Sequence, residues 1–186
     1  MNRLLDKVAA PLSPAVPIPV PVSVSIPVPL AHRVGTHEVQ FIGHEVVGIV
    51  EAVGPDVTEV TGGEHRLVYP WIGEGKCDAC QAGQENLCAT PQNLGVAKHG
   101  GYAEYILVPH PRYLVDVSGL DERWAATLAC SGLTAYSAAR KALPTDPTLP
   151  VVVIGAGGVG LMAIATMRAL GHQAIVAVDL QERNLE

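Results

Sequence analysis

Aromatic side chains and positive charge are both scarce in this sequence, and each scarcity narrows what the chain can do. Only 4% of its 186 residues are aromatic, so smaller apolar residues and glycine must fill the core. Twelve lysines and arginines face eighteen acidic residues, and a net charge of −6 offers no basic surface to a phosphate backbone. We therefore expect no nucleic acid as a partner.

Long apolar runs are also missing from the sequence. No stretch reaches the roughly 20 apolar residues that a membrane-spanning helix needs. Near the start, Asp6 and the prolines that follow interrupt the apolar core of any secretory signal. We therefore predict a cytoplasmic protein that has no membrane partner.

Cysteine is rare, and its spacing predicts a metal site. The chain has four cysteines, and none precedes Cys77. In the cytoplasm such residues are more often metal ligands or free thiols than disulfides. The spacing Cys77-x2-Cys80-x7-Cys88 resembles one lobe of a structural zinc site, and Glu74 offers a harder carboxylate oxygen as a fourth ligand. The alternative is three cysteines without metal and Glu74 in solvent.

Proline, in contrast, is concentrated between residues 11 and 30. That stretch holds seven prolines that alternate with valine, isoleucine and leucine. Each proline removes a backbone donor and fixes φ, so we predict no ordinary central strand here. Polyproline II or disorder fits the composition better, and a proline-rich recognition motif is a further alternative.

The remaining chain changes from a strand pattern to a helix pattern. Strands are predicted at 41–53, before the turn Gly54-Pro55-Asp56, and at 66–70, 102–109 and 112–117, as in a barrel or sandwich. Helices are predicted to about residue 129, with Ser118 or Asp121 as the cap, and over 132–142. A strand, a helix closed by Gly171 and a second strand then begin a βαβ unit.

The turn of this βαβ unit has the spacing of a dinucleotide-binding motif. Gly155, Gly157 and Gly160 follow the pattern GxGxxG after an apolar strand and before a helix. The helix start at Gly158 and Val159 would offer N–H groups to a pyrophosphate. Asp179, at the end of the next strand, would bind the ribose of NAD and disfavour NADP. The structural alternative is a plain βα turn with Asp179 as its cap.

Taken together, these segments resemble the zinc-dependent medium-chain alcohol dehydrogenases. The matching stretches are "GHEVVGIVEAVG", "LVYPWIGEGKCDACQAGQENLC", "GGYAEYILVP", "ACSGLTAY" and the glycine turn with "IVAVD", in the family's order over residues 41–186. The resemblance implies a mixed β and α/β fold, a GroES-like β-barrel followed by the start of a Rossmann doubly wound parallel sheet. It implies an atypical segment 1–40, a zinc-binding catalytic domain 41–131 and part of an NAD-binding domain 132–186.

The resemblance also implies which residues carry the chemistry. Glu74 stands where the family normally has a fourth cysteine. His44 and Cys130 match two ligands of the catalytic zinc, and Glu45 matches their acidic neighbour. In the family this metal lowers the pKa of a bound alcohol, whose hydride passes to a nicotinamide that Thr134 would help to position. Trp71 falls where the family lines its substrate pocket, although a buried barrel aromatic fits equally well.

Two departures from the family pattern lead us to expect a weak or inactive dehydrogenase. The family's first catalytic cysteine, normally some twenty to thirty residues before the "GHE" motif, is missing, and His32 and His37 are not in a matching context. The family builds its cofactor sheet from six strands, whereas two are predicted here, so the cofactor domain is expected to be incomplete. The expected substrate is a small alcohol or aldehyde, and full-length family members form homo-oligomers.

Two alternatives stay open at this point. The first is a non-catalytic binding module that is held together by zinc at Glu74, Cys77, Cys80 and Cys88. The second concerns residues 1–40, whose composition would also follow from a shifted reading frame or a misassigned start.

Overall fold

The structure is a computed structural model that describes residues 22–25, 42–143 and 146–186. These residues divide into two compact units, one of 22–25 with 42–129 and one that begins at Cys130. Each unit has its own sheet. None of the helices in the described ranges is long and apolar enough to cross a membrane.

The first unit is built on a five-stranded antiparallel sheet. Its strands lie in the order β4-β1-β2-β3-β5. In the described residues the sheet is open, with β4 and β5 at its edges, so the closed barrel that the resemblance implies is not seen there. The strands are β1 (Val22–Ser25), β2 (Val46–Val53), β3 (His65–Val68), β4 (Tyr105–Val108) and β5 (Leu114–Asp116).

The first strand corrects the prediction that residues 11–30 hold no central strand. Residues 22–25 pair with β2 on one side and with β4 on the other. The four residues are Val-Ser-Val-Ser, with Pro21 and Pro27 on either side, so every residue of the strand keeps its N–H donor. The rest of the proline-rich segment lies outside the described residues, as do His32 and His37.

Small branched residues fill the core of this sheet. Val24 lies opposite Val50 of β2 and Ile106 of β4, and all three side chains are buried. Leu67 of β3 is also fully buried. Burial of such side chains supplies roughly 1.5–3 kcal/mol each, so aliphatic residues replace the scarce aromatics in holding the sheet.

Short helices connect and extend the strands. They are α1 (Asp78–Gln81) and 3-10 turns at Glu85–Leu87 and Pro111–Tyr113. The helix α2 (Glu122–Thr127) begins at Asp121, whose carboxylate accepts hydrogen bonds from two N–H groups of the first turn, and this confirms one of the two predicted caps. A π-helical turn at Leu128–Gly132 joins α2 to α3 (Leu133–Ala142), where the sequence predicts two separate helices.

The second unit contains the predicted βαβ arrangement. Strand β6 (Val151–Ile154), helix α4 (Gly158–Ala169) and strand β7 (Ile175–Val178) follow one another, and the two strands are parallel. Helix α3 packs against α4. Gly171, at φ 89°, closes α4 as predicted.

Candidate metal centre

The three cysteines and Glu74 come together as the spacing predicts. Their ligand atoms, three sulfurs and one carboxylate oxygen, all lie within 4.8 Å of one another. Cys77 is the residue before α1, Cys80 lies inside it, and Cys88 follows the 3-10 turn Glu85–Leu87. The two short helical turns therefore bring Cys77 and Cys88, which are eleven positions apart in the chain, close together. We call the group of Glu74, Cys77, Cys80 and Cys88 the metal lobe.

The sulfur distances fit a tetrahedral ion. A tetrahedron with metal–sulfur bonds of about 2.3 Å places two sulfurs about 3.8 Å apart. The Sγ atom of Cys77 lies 3.5 Å from that of Cys80 and 3.8 Å from that of Cys88. These separations are too long for a disulfide bond, and all four cysteines of the chain, each within the described residues, are unbridged. The donor set therefore fits zinc.

The Glu74 carboxylate is also held by the backbone of the lobe. Its Oε1 accepts hydrogen bonds from the N–H of Cys77 at 2.6 Å and of Lys76 at 3.2 Å. The N–H of Glu74 in turn lies 3.4 Å from the sulfur of Cys88. The carboxylate is thus oriented by its neighbours rather than extended into solvent.

The thiols of the lobe differ in their electrostatic surroundings. Burial raises the pKa of the Cys80 thiol to about 11. The backbone N–H of Glu74 lowers the pKa of the Cys88 thiol below its usual value. Zinc would be held here by thiolates, so its binding at neutral pH would release a proton from Cys80.

A buried carboxylate lies directly beneath the lobe. Glu85 is 2% exposed and accepts hydrogen bonds from the N–H of Gly73 at 2.8 Å and the hydroxyl of Tyr113 at 2.7 Å. Arg112 forms an ion pair with the same carboxylate. Burial raises the pKa of Tyr113 above its usual value, so the phenol stays a donor. Sequence reasoning did not identify this group, because its members are 27 and 28 residues apart.

His44, the predicted catalytic ligand, lies just before β2 at a junction of glycines. Gly43 has φ 101°, and its carbonyl accepts the N–H of Gly101 at 2.8 Å. A Cβ on Gly95 or Gly100 would lie well inside 3.0 Å of the Gly43 carbonyl oxygen. The recurrence of glycine at these positions was the signal in the sequence for a close backbone crossing beside His44.

Trp71 contacts His44 inside the first unit. The two ring centroids are 5.3 Å apart, and the Trp71 indole N–H donates to the carbonyl of Ala129 at 2.8 Å. Glu45 is exposed. Cys130 lies in the π-helical turn and Thr134 is exposed on α3, both in the second unit. The joining of His44, Glu45 and Cys130 around one metal stays a prediction.

The glycine turn has the backbone geometry that close helix–strand packing requires. Gly155 has φ 95° and donates its N–H to the carbonyl of Val178 at 2.7 Å. A Cβ on Gly160 would lie well inside 3.0 Å of the Gly155 carbonyl oxygen, whereas one on Gly157 or Gly158 would meet nothing within 4 Å. The open side of this turn is where a pyrophosphate is predicted.

Asp179 closes the same turn. Its Oδ2 accepts the N–H of Ala156 at 2.7 Å and its Oδ1 accepts the N–H of Gln181 at 2.8 Å, and these bonds lower the pKa of the carboxyl. This is the capping role that the sequence offers as the structural alternative. Contact of Asp179 with a ribose stays a prediction.

Comparisons with known proteins identify the first unit. The family model of the alcohol dehydrogenase GroES-like domain matches residues 26–119. An NAD-dependent alcohol dehydrogenase of Sulfurisphaera tokodaii is 47% identical over 146 residues, which are 78% of this chain and 42% of that protein. The chain therefore spans about two fifths of the length of the curated relatives it matches.

Solved structures give the same result. A D-arabinose dehydrogenase from Sulfolobus solfataricus superimposes with a TM-score of 0.74 and 28% identity over 91% of this chain and 58% of that one. A thermostable alcohol dehydrogenase from Pyrobaculum aerophilum does so with a TM-score of 0.71 and 30% identity over 93% of this chain and 54% of that one. With a family match over about half of its residues, this chain belongs to the medium-chain alcohol dehydrogenases that carry a GroES-like domain.

Proposed function

We propose that this chain is the zinc-binding part of an NAD-dependent oxidoreductase that transfers a hydride between a small alcohol or aldehyde and the nicotinamide. The names of the relatives support the reaction class, since they include NAD-dependent alcohol dehydrogenases at 41–47% identity. The breadth of those names, from alcohols to a sugar, leaves the substrate at the level of a hydroxyl-bearing small molecule.

The convergence of three sulfurs and one carboxylate is the observation that carries the proposal. The ligand atoms of Glu74, Cys77, Cys80 and Cys88 lie within 4.8 Å of one another, and the two sulfur separations from Cys77 match those of a tetrahedral zinc site. Zinc held there would be structural, because all four ligands come from the protein and leave no open position. It would neutralise the thiolates and staple a loop that has little regular structure of its own.

The proposed catalytic zinc site has fewer matching ligands than the metal lobe. His44, Glu45 and Cys130 are the residues that would hold a second zinc, and this metal would supply Lewis-acid polarisation of the alcohol oxygen. Trp71 would fix the ring plane of His44 through the contact seen between them. Since no cysteine precedes Cys77, one family ligand has no counterpart in this sequence, and we expect weak turnover by this chain.

The second unit is proposed to be a Rossmann unit that binds NAD, and this part of the proposal depends on the glycine turn. Gly155, Gly157 and Gly160 would let the pyrophosphate approach the backbone, and Gly158 and Val159 would present the first N–H groups of α4 to it. Asp179 would hold the ribose hydroxyls and select NAD. Thr134 would help to position the nicotinamide. The cytoplasmic location of the protein is a separate prediction from the sequence.

A non-catalytic module that zinc holds together is the second candidate. One observation favours it, namely that the metal lobe keeps all its donors while the catalytic set lacks a family ligand. The two candidates differ in how many metals the chain binds.

Elemental analysis of the purified 186-residue chain separates the candidates. The enzyme is supported by two zinc ions per chain, of which His44→Ala removes one and Cys80→Ser the other. The module is supported by a single zinc that Cys80→Ser removes and His44→Ala leaves in place. A chain without zinc contradicts both. Formation of NADH from alcohol at the rate usual for the family would contradict the expected weak turnover.

A further inference from the structure

Glu85 is a buried charge for which the proposed reaction has no use. It lies in the 3-10 turn between Cys80 and Cys88, and its side chain is 2% exposed. A carboxylate buried this deeply is costly unless it is paired and hydrogen-bonded. Arg112 pairs with it, and Tyr113 and Gly73 donate hydrogen bonds to Oε2.

The bond to Gly73 connects this carboxylate to the metal lobe. Gly73 directly precedes Glu74, whose own N–H lies 3.4 Å from the sulfur of Cys88. Gly73 also lies close to Cys80, because a Cβ added at Gly73 would lie well inside 3.0 Å of the Cys80 sulfur and 3.1 Å from the side chain of Glu85. Glu85 therefore holds the 72–73 peptide, and the 73–74 peptide that follows it meets the sulfur of Cys88.

Arg112 allows this second anionic group to lie beneath the lobe. Three thiolates and one carboxylate around Zn²⁺ leave an excess of negative charge, which would repel an unpaired carboxylate nearby. The guanidinium lies against Glu85 Oε1, donates to the Tyr113 hydroxyl at 2.5 Å and stacks 4.7 Å from the Tyr113 ring centroid. The Glu85 carboxylate that accepts the N–H of Gly73 therefore has its negative charge balanced by the Arg112 guanidinium.

We propose that Glu85 is a positioning residue of the metal lobe, which fixes the N–H of Gly73 so that the adjoining Glu74 and its contact with Cys88 keep their places around the metal. This inference rests on the zinc site proposed above. Outer-shell partners that orient metal ligands contribute roughly 10–100-fold to metal affinity. Here the oriented element is Gly73, the residue before a ligand, and its anchor Glu85 is held by Arg112 and Tyr113, more than twenty residues along the chain.

The release rate of zinc into an excess of a colour-forming chelator tests this role. Glu85→Gln in the zinc-loaded 186-residue chain keeps the shape of the side chain but weakens the acceptor, so we expect release about 10–100-fold faster than in the parent. Glu51→Gln removes the same charge from an exposed position on β2 and should leave the rate unchanged. Tyr113→Phe removes one donor to Glu85 and should give a smaller acceleration, which serves if Glu85→Gln does not fold.

A role in general stability alone predicts a different pattern. Leu67→Ala opens the core of the sheet where β3 pairs with β2 and β5, so it should lower the unfolding temperature without faster release. If Leu67→Ala accelerates release as much as Glu85→Gln does, or if Glu85→Gln and Tyr113→Phe both release zinc at the parent's rate, the positioning role is overturned while the zinc site stands. A parent chain that holds no zinc overturns both.

Discussion

Glu74 differs from the other three donors of the candidate metal centre because it offers oxygen where they offer sulfur. Its carboxylate oxygen lies with the three sulfurs, and its Oε1 is oriented by the N–H of Cys77. Oxygen is a harder ligand than sulfur, so zinc should be held less firmly here than by four thiolates. We therefore expect a working but weaker structural site.

Gly73 is a position where the structure leaves no space for a side chain beside the metal lobe. A Cβ at this position would overlap the Cys80 sulfur, which is buried. Gly73→Ala should therefore displace one zinc ligand, and overpacking of this kind costs about 1–3 kcal/mol. Zinc content and thermal unfolding measure the two effects.

Gly62→Ala is the matched control, because an added Cβ there would meet its nearest atoms at 3.8 Å. It should keep both zinc and stability at the parent's level. Full zinc content in Gly73→Ala would show that the lobe adapts to the added methyl group.

At the scale of elements, the sequence predicted the strands and helices that have a local pattern, and it missed those that depend on long-range contacts. The turn at Gly54 gave the end of β2 correctly, although the strand begins at Val46 and not at residue 41, and Asp121 gave the start of α2. The π-helical turn at Leu128–Gly132 was not predicted, because a single extra residue in a helical turn leaves no distinct hydrophobic period. It carries Cys130, and π-helical turns are frequent at functional sites.

The first strand was missed for a different reason. The composition of residues 11–30 argued against any central strand, yet Val22–Ser25 pairs on both sides. Proline excludes only the residues whose N–H it removes, and four consecutive residues without proline suffice for a short strand. Tertiary pairing with β2 and β4 decides the outcome, and composition over twenty residues does not report it.

The βαβ element allows a direct test of its glycine turn. Gly160→Ala would force a Cβ against the Gly155 carbonyl, so the second unit should lose stability by about 2–4 kcal/mol, as other severe backbone clashes do. Gly158→Ala, in the same helix with open space around it, should be neutral or stabilise α4 by up to about 1 kcal/mol. Chemical denaturation followed by circular dichroism reports both changes. Equal stabilities of the two variants would contradict the packing role of Gly160.

At the scale of the whole molecule, the sequence predicted the family and the metal lobe but not the network that supports it. Cys77, Cys80 and Cys88 lie within twelve residues, so their spacing alone indicates a common ligand. The contact between Glu85 and Arg112 depends on how the 3-10 turns fold onto the sheet. No local pattern encodes such a contact, and only the structure shows it.

The coordination of zinc in the lobe is the central claim. X-ray absorption at the zinc edge of the His44→Ala chain, which isolates this site, measures it directly. We predict three sulfur neighbours at about 2.3 Å and one oxygen at about 2.0–2.2 Å, and four sulfurs once Glu74→Cys is added. A first shell made only of nitrogen and oxygen, or a chain that retains no zinc, would contradict the account.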